Sequence, residues 1–458
     1  MDENQNKNQE AQEGQNENER VPAPVKDPKK LKILRTIACV ASATLIAATG
    51  FITGMCVRWY SIDPQMRALI GVKKNIDNHY YEDVSDEVFY GALFGAVNEQ
   101  ILDEYSGYMT SKEYAALTSD LDGNRAGLGL VLSTQNATGE EQILVTRVCG
   151  NSPAEAAGIT AGSYVIGFGV SQENITLSQS YDAFSNFLTD YEAGEKFYIR
   201  LTAGGQEKTL EISREEYVEN YVFYRTNDAA YDFETTGNCA PIESKNTLSC
   251  LKEDEAYIRI IQFTGNAEKA FTRAMRLFKE EGKKHLVLDL RGNGGGYLDA
   301  MQAIASYFCK NTSSLKPVVA IADYGEKQEK FYANKNVYDD YFSEDSRICV
   351  LADEDSASAS ECLIGCMLDY GAITYADICL TENDGRAKTF GKGIMQTTYL
   401  VNVFQRDAIK LTTAKILWPV TKNSIHGRGV LASDGTKTTA RNYHGEEELF
   451  NGIKTLLG

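Results

Sequence analysis

Hydrophobic and polar positions divide the chain into stretches of different period. From Thr36 to Val57 no residue is charged, and these 22 residues, at about 1.5 Å rise each, span roughly 33 Å, the reach of a bilayer core. The pattern predicts a transmembrane anchor over residues 32–58. Residues 59–122 place apolar and charged positions at helical spacing, most clearly from Val88 to Leu102, and predict a helical segment. Within it, Asp103-Glu-Tyr-Ser-Gly-Tyr-Met-Thr-Ser-Lys-Glu-Tyr114 reads as a turn and then a helix start that Thr110 or Ser111 can cap. Residues 123–216 are punctuated by glycine and alternate in short runs. Strands are expected at Gly129 to Ser133, Ile143 to Val148, Tyr164 to Phe168, Lys196 to Thr202 and Gln206 to Ile212, with helices at Pro153 to Ala157 and Tyr181 to Tyr191.

The last region, 217–458, begins with a polar insertion from Thr226 to Glu255 and then alternates strand and helix. Strands are expected at Ala256 to Ile261, His285 to Leu290, Val318 to Ala322 and Ile348 to Ala352. Helices are expected at Ala267 to Glu281, Tyr297 to Phe308 and Ser358 to Tyr370. This alternation predicts an α/β core with parallel strands, within a mixed α+β chain, and functional residues gather at strand ends in such folds.

Charge places the anchor. Lys26, Lys29, Lys30, Lys32 and Arg35 precede the apolar run and only Arg58 follows it closely, so the positive-inside bias puts the N-terminus in the cytoplasm and the rest outside the cell membrane. Residues 1–31 hold almost no large apolar side chain and are expected to be a disordered tail. A cleaved signal peptide is the competing reading; the long leader and the lack of a small-x-small site count against it, and Met55 is a poor residue before a lipidated Cys56. The formal charge of -18 argues against nucleic acid, whose phosphates need a basic surface. The ten cysteines form neither a dense disulfide framework nor CxxC pairs, so no metal and no cofactor is expected. Cys239 and Cys250, in a polar stretch, are the pair best placed to form a disulfide. Cys362 and Cys366 lie one helical turn apart, as buried side chains or as a thiol nucleophile.

Three segments carry candidate chemistry. In Ile348-Cys-Val-Leu-Ala-Asp-Glu-Asp-Ser-Ala-Ser-Ala-Ser-Glu361 a buried strand runs into small residues that open a helix. A serine there sits beside free backbone N–H groups able to hold a negative oxygen, or it merely caps the helix. In Thr389-Phe-Gly-Lys-Gly-Ile-Met-Gln396 a lysine stands between glycines that let its loop turn tightly. Leu286-Val-Leu-Asp-Leu-Arg-Gly-Asn-Gly-Gly-Gly296 runs a strand into glycines that lack the P-loop lysine and the dinucleotide spacing; an oxyanion-binding loop is the better reading.

Together these segments resemble the carboxy-terminal processing peptidases, or tail-specific proteases. Asp103 to Tyr114 is similar to the family's segment ahead of its PDZ domain, and Gly127-Leu-Gly-Leu130 with Asn151-Ser-Pro-Ala-Glu-Ala-Ala-Gly-Ile159 resembles that domain. Tyr257-Ile-Arg-Ile-Ile-Gln-Phe-Thr264, Asp289-Leu-Arg291, Leu411-Thr-Thr-Ala-Lys415 and Ser424-Ile-His-Gly-Arg-Gly-Val430 match the protease core in order. The resemblance implies a PDZ-like domain over 123–216 and a Ser–Lys peptidase core over 217–458. It puts the nucleophile at Ser358, the base at Lys392 and the residue that holds the lysine at Gln396. The oxyanion hole maps to backbone N–H groups of Ala359 and of Gly295 or Gly296. Gly127, Leu128, Gly129 and Leu130 would take a free C-terminal carboxylate while the tail adds to a sheet edge. Substrates would then be proteins with free, flexible C-termini, and relatives that assemble leave a homo-oligomer open.

A lysine base works only when neutral, so its reference pKa of about 10.4 must fall through burial, which Phe390 and Ile394 are expected to supply. Asp355 and Glu354, where the family commonly has glycine, would oppose that fall. An insertion from Leu380 to Ala387, with a turn signal at Asn383-Asp-Gly385, reads as a surface loop that could also limit access. The rival reading is a catalytically inactive receptor or scaffold that binds C-terminal tails through the PDZ-like domain.

Overall fold

The computed structural model describes residues 28–137, 140–178, 180–235, 237–244, 246–382, 387–402, 404–431 and 440–457. Most of the expected tail and the 383–385 turn lie outside these residues. The chain divides into two units, Met1–Leu93 and Phe94–Gly458.

In the first unit the uncharged run lies inside one helix, Pro28–Ser61. Its stretch Thr36–Ser61 is long and apolar enough to cross a membrane, with a mean hydropathy of 1.8. A second helix, Pro64–His79, starts where Pro64 fixes φ and the Asp63 carboxylate accepts from the Gln65 N–H. The two helices therefore break at a proline that fits a first turn.

The second unit holds three sheets that matter for the site. Strands Leu130–Ala137, Glu140–Val148, Tyr164–Ser171, Lys196–Ala203 and Gln206–Ser213 are antiparallel neighbours in that order, with Asn174–Leu177 against the third. Alternate side chains of this sheet, such as Ile143, Val145, Phe197 and Ile199, meet Phe184 of helix Tyr181–Thr189 in a separate cluster. Leu130–Ala137 is an edge strand. Ahead of this sheet, helix Ser111–Leu121 is closed by a capping box between Thr110 and Glu113, which selects Thr110 over Ser111 as the cap.

The eight-stranded sheet runs in the order Pro241–Glu243, Ala230–Phe233, Val222–Arg225, Glu255–Ile260, His285–Asp289, Ile348–Ala352, Ile378–Thr381, Arg441–Tyr443. From Glu255 onward neighbours are parallel. The central strand Ile348–Ala352 reads as an unbroken apolar run because both of its faces are covered. Ala256, Ile258, Leu288 and Val350 pack under helices Ala267–Glu280, Leu298–Ala305 and Ala359–Asp369. Tyr257, Val287, Cys349 and Leu351 meet Leu449 and Ile453 of the closing helix Glu446–Leu457. The 267–280 helix buries Ala267, Ala270, Phe271, Ala274, Met275 and Phe278, the i, i+3, i+4, i+7 stripe that its periodicity predicts.

Four expectations need correction. The polar stretch 226–255 contains the hairpin strands Ala230–Phe233 and Pro241–Glu243, which extend the sheet antiparallel. Val318–Asp323 belongs to a different sheet, antiparallel to Gln328–Tyr332 and Asp407–Leu417. Leu380 and Thr381 continue a core strand, so the insertion is shorter than 380–387. Cys239 and Cys250 are free thiols that pack against clusters on opposite faces of the sheet, which keeps them from bonding.

Candidate active site

Strands His285–Asp289 and Ile348–Ala352 are adjacent and parallel, so the loops that follow them leave the sheet side by side. Asn293 joins the loops. Its buried amide donates to the Ile260 carbonyl at 2.8 Å and accepts from the Gly295 N–H at 2.9 Å. Its carbonyl accepts from the Ala357 N–H and the Ser360 hydroxyl, each at 2.9 Å. At Gly295 (φ 104°) a Cβ would lie 2.7 Å from Ser358 Cβ, so only glycine lets this loop touch the serine. Phe263 donates to the Gly295 carbonyl and accepts from the Tyr297 N–H, which leaves the Gly296 N–H outside the pairing. Among the described residues neither the Gly296 nor the Ala359 N–H has an acceptor, whereas that of Gly295 is taken by Asn293. Of the two glycines offered by the sequence, Gly296 has the free donor.

Ser358 is the N-cap of helix Ala359–Asp369 and holds φ 55°, ψ -111°. A non-glycine residue there carries about 1–3 kcal/mol of strain and needs neighbours to enforce it. The enforcing group is Glu361, fully buried one turn into the helix. One oxygen of its carboxylate accepts from the Thr389 hydroxyl at 2.6 Å and the Gly391 N–H at 2.7 Å. The other accepts from the Lys392 N–H at 2.9 Å and the Ser358 N–H at 3.0 Å. A single carboxylate thus ties the serine turn to the lysine loop. Burial pushes its pKa up against the four bonds that favour the ion.

Lys392 is half-buried between Gly391 (φ 93°) and Gly393, whose Cβ would lie 2.7 Å from the His426 N. Burial holds its amine below the usual lysine value; Lys410 pushes the same way and Glu361 opposes. Those two charges, rather than Asp355 or Glu354, act on the lysine. Ile394 is buried beside it as expected, but Phe390 is 49% exposed and supplies little burial. The Lys392 ammonium nitrogen lies 5.1 Å from the Tyr105 ring centre. Ser358, Lys392 and Gln396 line one cavity of about 210 Å³ with Gly296, Ala359 and a set of apolar side chains. Within the described residues no hydrogen bond joins Ser358, Lys392 and Gln396, and the buried Gln396 Nε2 has no partner.

Gly127 ends strand Asn124–Gly127 and Leu130 opens strand Leu130–Ala137, and between them the Leu128 carbonyl accepts from the Ala154 N–H at 2.9 Å. Gly129 takes φ 79° and a Cβ there would overlap Ser152, so its glycine is required. A second groove of about 970 Å³ runs from Val131 and Arg147 of the six-stranded sheet past Arg259, Arg291 and Asp355 to Lys392. Cys362 lies in the cavity wall, buried, with its thiol pushed up to about 12; it is a poor nucleophile. Sequence reasoning missed Glu361, although Ser358-x-x-Glu361 is the spacing of a capping box, and missed Asn293, Tyr105 and Lys410.

Residues 254–433 match peptidase family S41. Curated relatives include a "Probable CtpA-like serine protease" of Staphylococcus epidermidis, 28% identical over 77% of this chain and 61% of that protein. A protein of the same description from Staphylococcus saprophyticus is 27% identical over 80% and 64%. The chain therefore spans about three fifths of the length of the curated relatives it matches. Among solved structures, the photosystem II D1 C-terminal processing protease is similar at 20% identity over 85% of this chain and 91% of that one, with a TM-score of 0.46. The resemblance read in the sequence is borne out at the level of the family.

Proposed function

We propose that this chain, whose residues 254–433 match peptidase family S41, is a serine endopeptidase that cleaves proteins bearing free C-termini. One observation carries the reading: a serine on a strained turn and a lysine with a lowered pKa share one cavity with two unused backbone N–H groups. Ser358 Oγ attacks the peptide carbonyl as the neutral Lys392 amine takes its proton. The N–H groups of Gly296 and Ala359 receive the oxygen's developing charge. Lys392 returns the proton to the leaving amine, and water activated the same way releases the acyl group from Ser358. Gln396, unjoined to the lysine in this structure, is assigned to accept from its amine in the reacting complex without supplying a carboxylate that would recharge it.

Residues 123–216 serve as the PDZ-like domain. The N–H groups of Leu128 and Gly129 have no acceptor among the described residues, and the edge strand Leu130–Ala137 can take a tail as an added strand. The groove from Val131 to Lys392 supplies a path from that edge to the serine. The Thr36–Ser61 segment anchors the chain, and the preceding lysines orient it with the peptidase outside the cell.

The unjoined Ser358, Lys392 and Gln396 side chains favour one rival, a tail-binding receptor without catalysis. Purified full chain in detergent is expected to degrade an unstructured protein. Ser358→Ala is expected to abolish cleavage at unchanged melting temperature, and equal cleavage by that variant would leave the receptor reading standing. Loss of cleavage when a peptide's C-terminus is amidated tests carboxylate capture separately.

A further inference from the structure

Strands Ile394–Asn402 and Asp407–Leu417 form an antiparallel hairpin whose near end lines the Ser358 cavity and whose far end carries apolar side chains in solvent. Tyr399, Leu400 and Val401 are each about half exposed, and Phe404 at the tip is 98% exposed. Tyr399 and Leu400 are consecutive in a strand and so lie on opposite faces of the hairpin. Its end is therefore apolar on both faces and at the tip. The polar groups there are already engaged. Asn402 Oδ1 accepts from the N–H groups of Phe404 at 3.1 Å and Gln405 at 3.2 Å, and the Asn402 carbonyl accepts from the Arg406 N–H at 2.6 Å. The Asp407 carboxylate accepts from the Ser111 N–H at 3.0 Å. The Arg406 side chain stands exposed beside the tip.

We infer that this hairpin end is a second membrane contact, entering the headgroup and upper acyl region of the bilayer that the Thr36–Ser61 segment crosses. The inference rests on the anchor reading of that segment and not on the peptidase chemistry. A medium that surrounds the tip covers both faces at once, whereas a protein partner, a second copy of this chain included, covers one face and leaves the other wet. Pairing through the open edge of Ile394–Asn402 is also opposed, since a register shift between Leu400 and Asn402 interrupts the ladder that a further strand would extend. Tip N–H groups bonded within the turn cost little to move out of water. A tyrosine and a phenylalanine beside an arginine suit the boundary between headgroups and acyl chains, where the arginine meets anionic phosphates. The reach is bounded, because Pro64–His79 and Asp86–Gln100 are helical and residues 62–106 extend at most about 95 Å. Such a tether holds the tip at an effective concentration on the order of millimolar, so a contact too weak to bind a free protein is populated here. About 20 Å of strand separates Gln396 at the cavity from Asn402, so the contact keeps the cavity near the membrane face.

The test uses the full chain reconstituted into vesicles of phosphatidylcholine and phosphatidylglycerol, with acyl chains either brominated or plain. Trp59→Phe removes the indole next to the anchor, and Phe404→Trp puts one at the tip. Trp418 is buried and serves as the unquenched reference. The indole at position 404 is expected to lose about half of its emission or more to the bromines, which reach a group seated roughly 5–10 Å into the headgroup and acyl boundary. It is also expected to be shielded from acrylamide in the water. An indole that the bromines leave bright and acrylamide quenches is in water, which overturns the inference. One that neither quenches is covered by protein, by a second copy where dilution in lipid uncovers it, and this overturns the inference equally. Both substitutions lie at exposed positions, and an unchanged Tm shows the fold intact. A chain that sodium carbonate strips from the vesicles refutes the anchor, and this inference with it, without touching the peptidase reading.

Discussion

Replacing Glu361 by glutamine exchanges one oxygen for an NH₂ at the point where the serine and lysine segments meet. The carboxylate accepts four hydrogen bonds, two on each oxygen. A glutamine has one oxygen, so in either orientation its NH₂ faces two donors. Losing two charge-assisted bonds removes about 3–6 kcal/mol, and relief of the buried ion, whose pKa is already pushed up, returns part of it, leaving ~2–4 kcal/mol. A loss of that size lowers Tm by roughly 3–8 °C in a unit of this length. Catalysis carries a second, independent signature. Glu361 is the negative charge that raises the Lys392 pKa, so without it the lysine gives up its proton at lower pH, and the acidic limb of kcat/KM moves down in pH. The limb moves down even as displacement of Ser358 and Lys392 lowers kcat, by about 100-fold for a shift near 1 Å, with KM little changed. Thermal melts and pH–rate profiles of the full chain in detergent measure these effects. A Glu361→Gln variant with unchanged Tm and an unmoved acidic limb would refute the account of this carboxylate.

Other variants separate further parts of the site. Lys410 pushes the Lys392 pKa down, so Lys410→Gln should raise it: the acidic limb moves up in pH and activity near pH 7 falls but recovers at higher pH. Gln396→Met replaces a buried amide nitrogen that lacks a partner, and should raise stability by about 1–3 kcal/mol in a melt while lowering kcat. Gly365→Ala places a methyl against Trp418; overpacking of this kind costs about 1–3 kcal/mol, read as a lower Tm and a shifted Trp418 fluorescence. Incubation with N-ethylmaleimide should leave peptide cleavage unchanged, because Cys362 is buried and its thiol is pushed up to about 12; inactivation would favour the thiol nucleophile.

Elements with a strong period were legible from the residues alone. The 267–280 helix shows its buried stripe in the sequence, and the strands ending at Asp289 and Ala352 are apolar because helices cover both faces. The 230–233 and 241–243 strands were not legible. Pro241, Ile242 and Glu243 are all exposed at the sheet's edge, so nothing selected apolar residues there. The pairing of Val318–Asp323 was also hidden. Its apolar run states that it is buried but not by which strand, and its partner Asp407–Leu417 lies far along the chain.

The site divides along the same line. Glycines and small residues marked where the loops turn, because a positive φ at Gly295 or a close approach at Gly393 leaves its trace in a single residue. Which glycine offers a free N–H depends on Asn293 taking the other, and that is a tertiary fact. Glu361 is the sharpest case. Its contacts to Thr389, Gly391 and Lys392 span 28 to 31 residues, yet its contact to Ser358 spans three and follows an ordinary capping pattern. A capping box normally ends with the glutamate partly in solvent. Here the carboxylate is fully buried, so its other three acceptor positions had to be filled from outside the helix. The lysine loop supplies those donors, and satisfying one buried acid brings the Lys392 segment to a serine that the chain places 34 positions away.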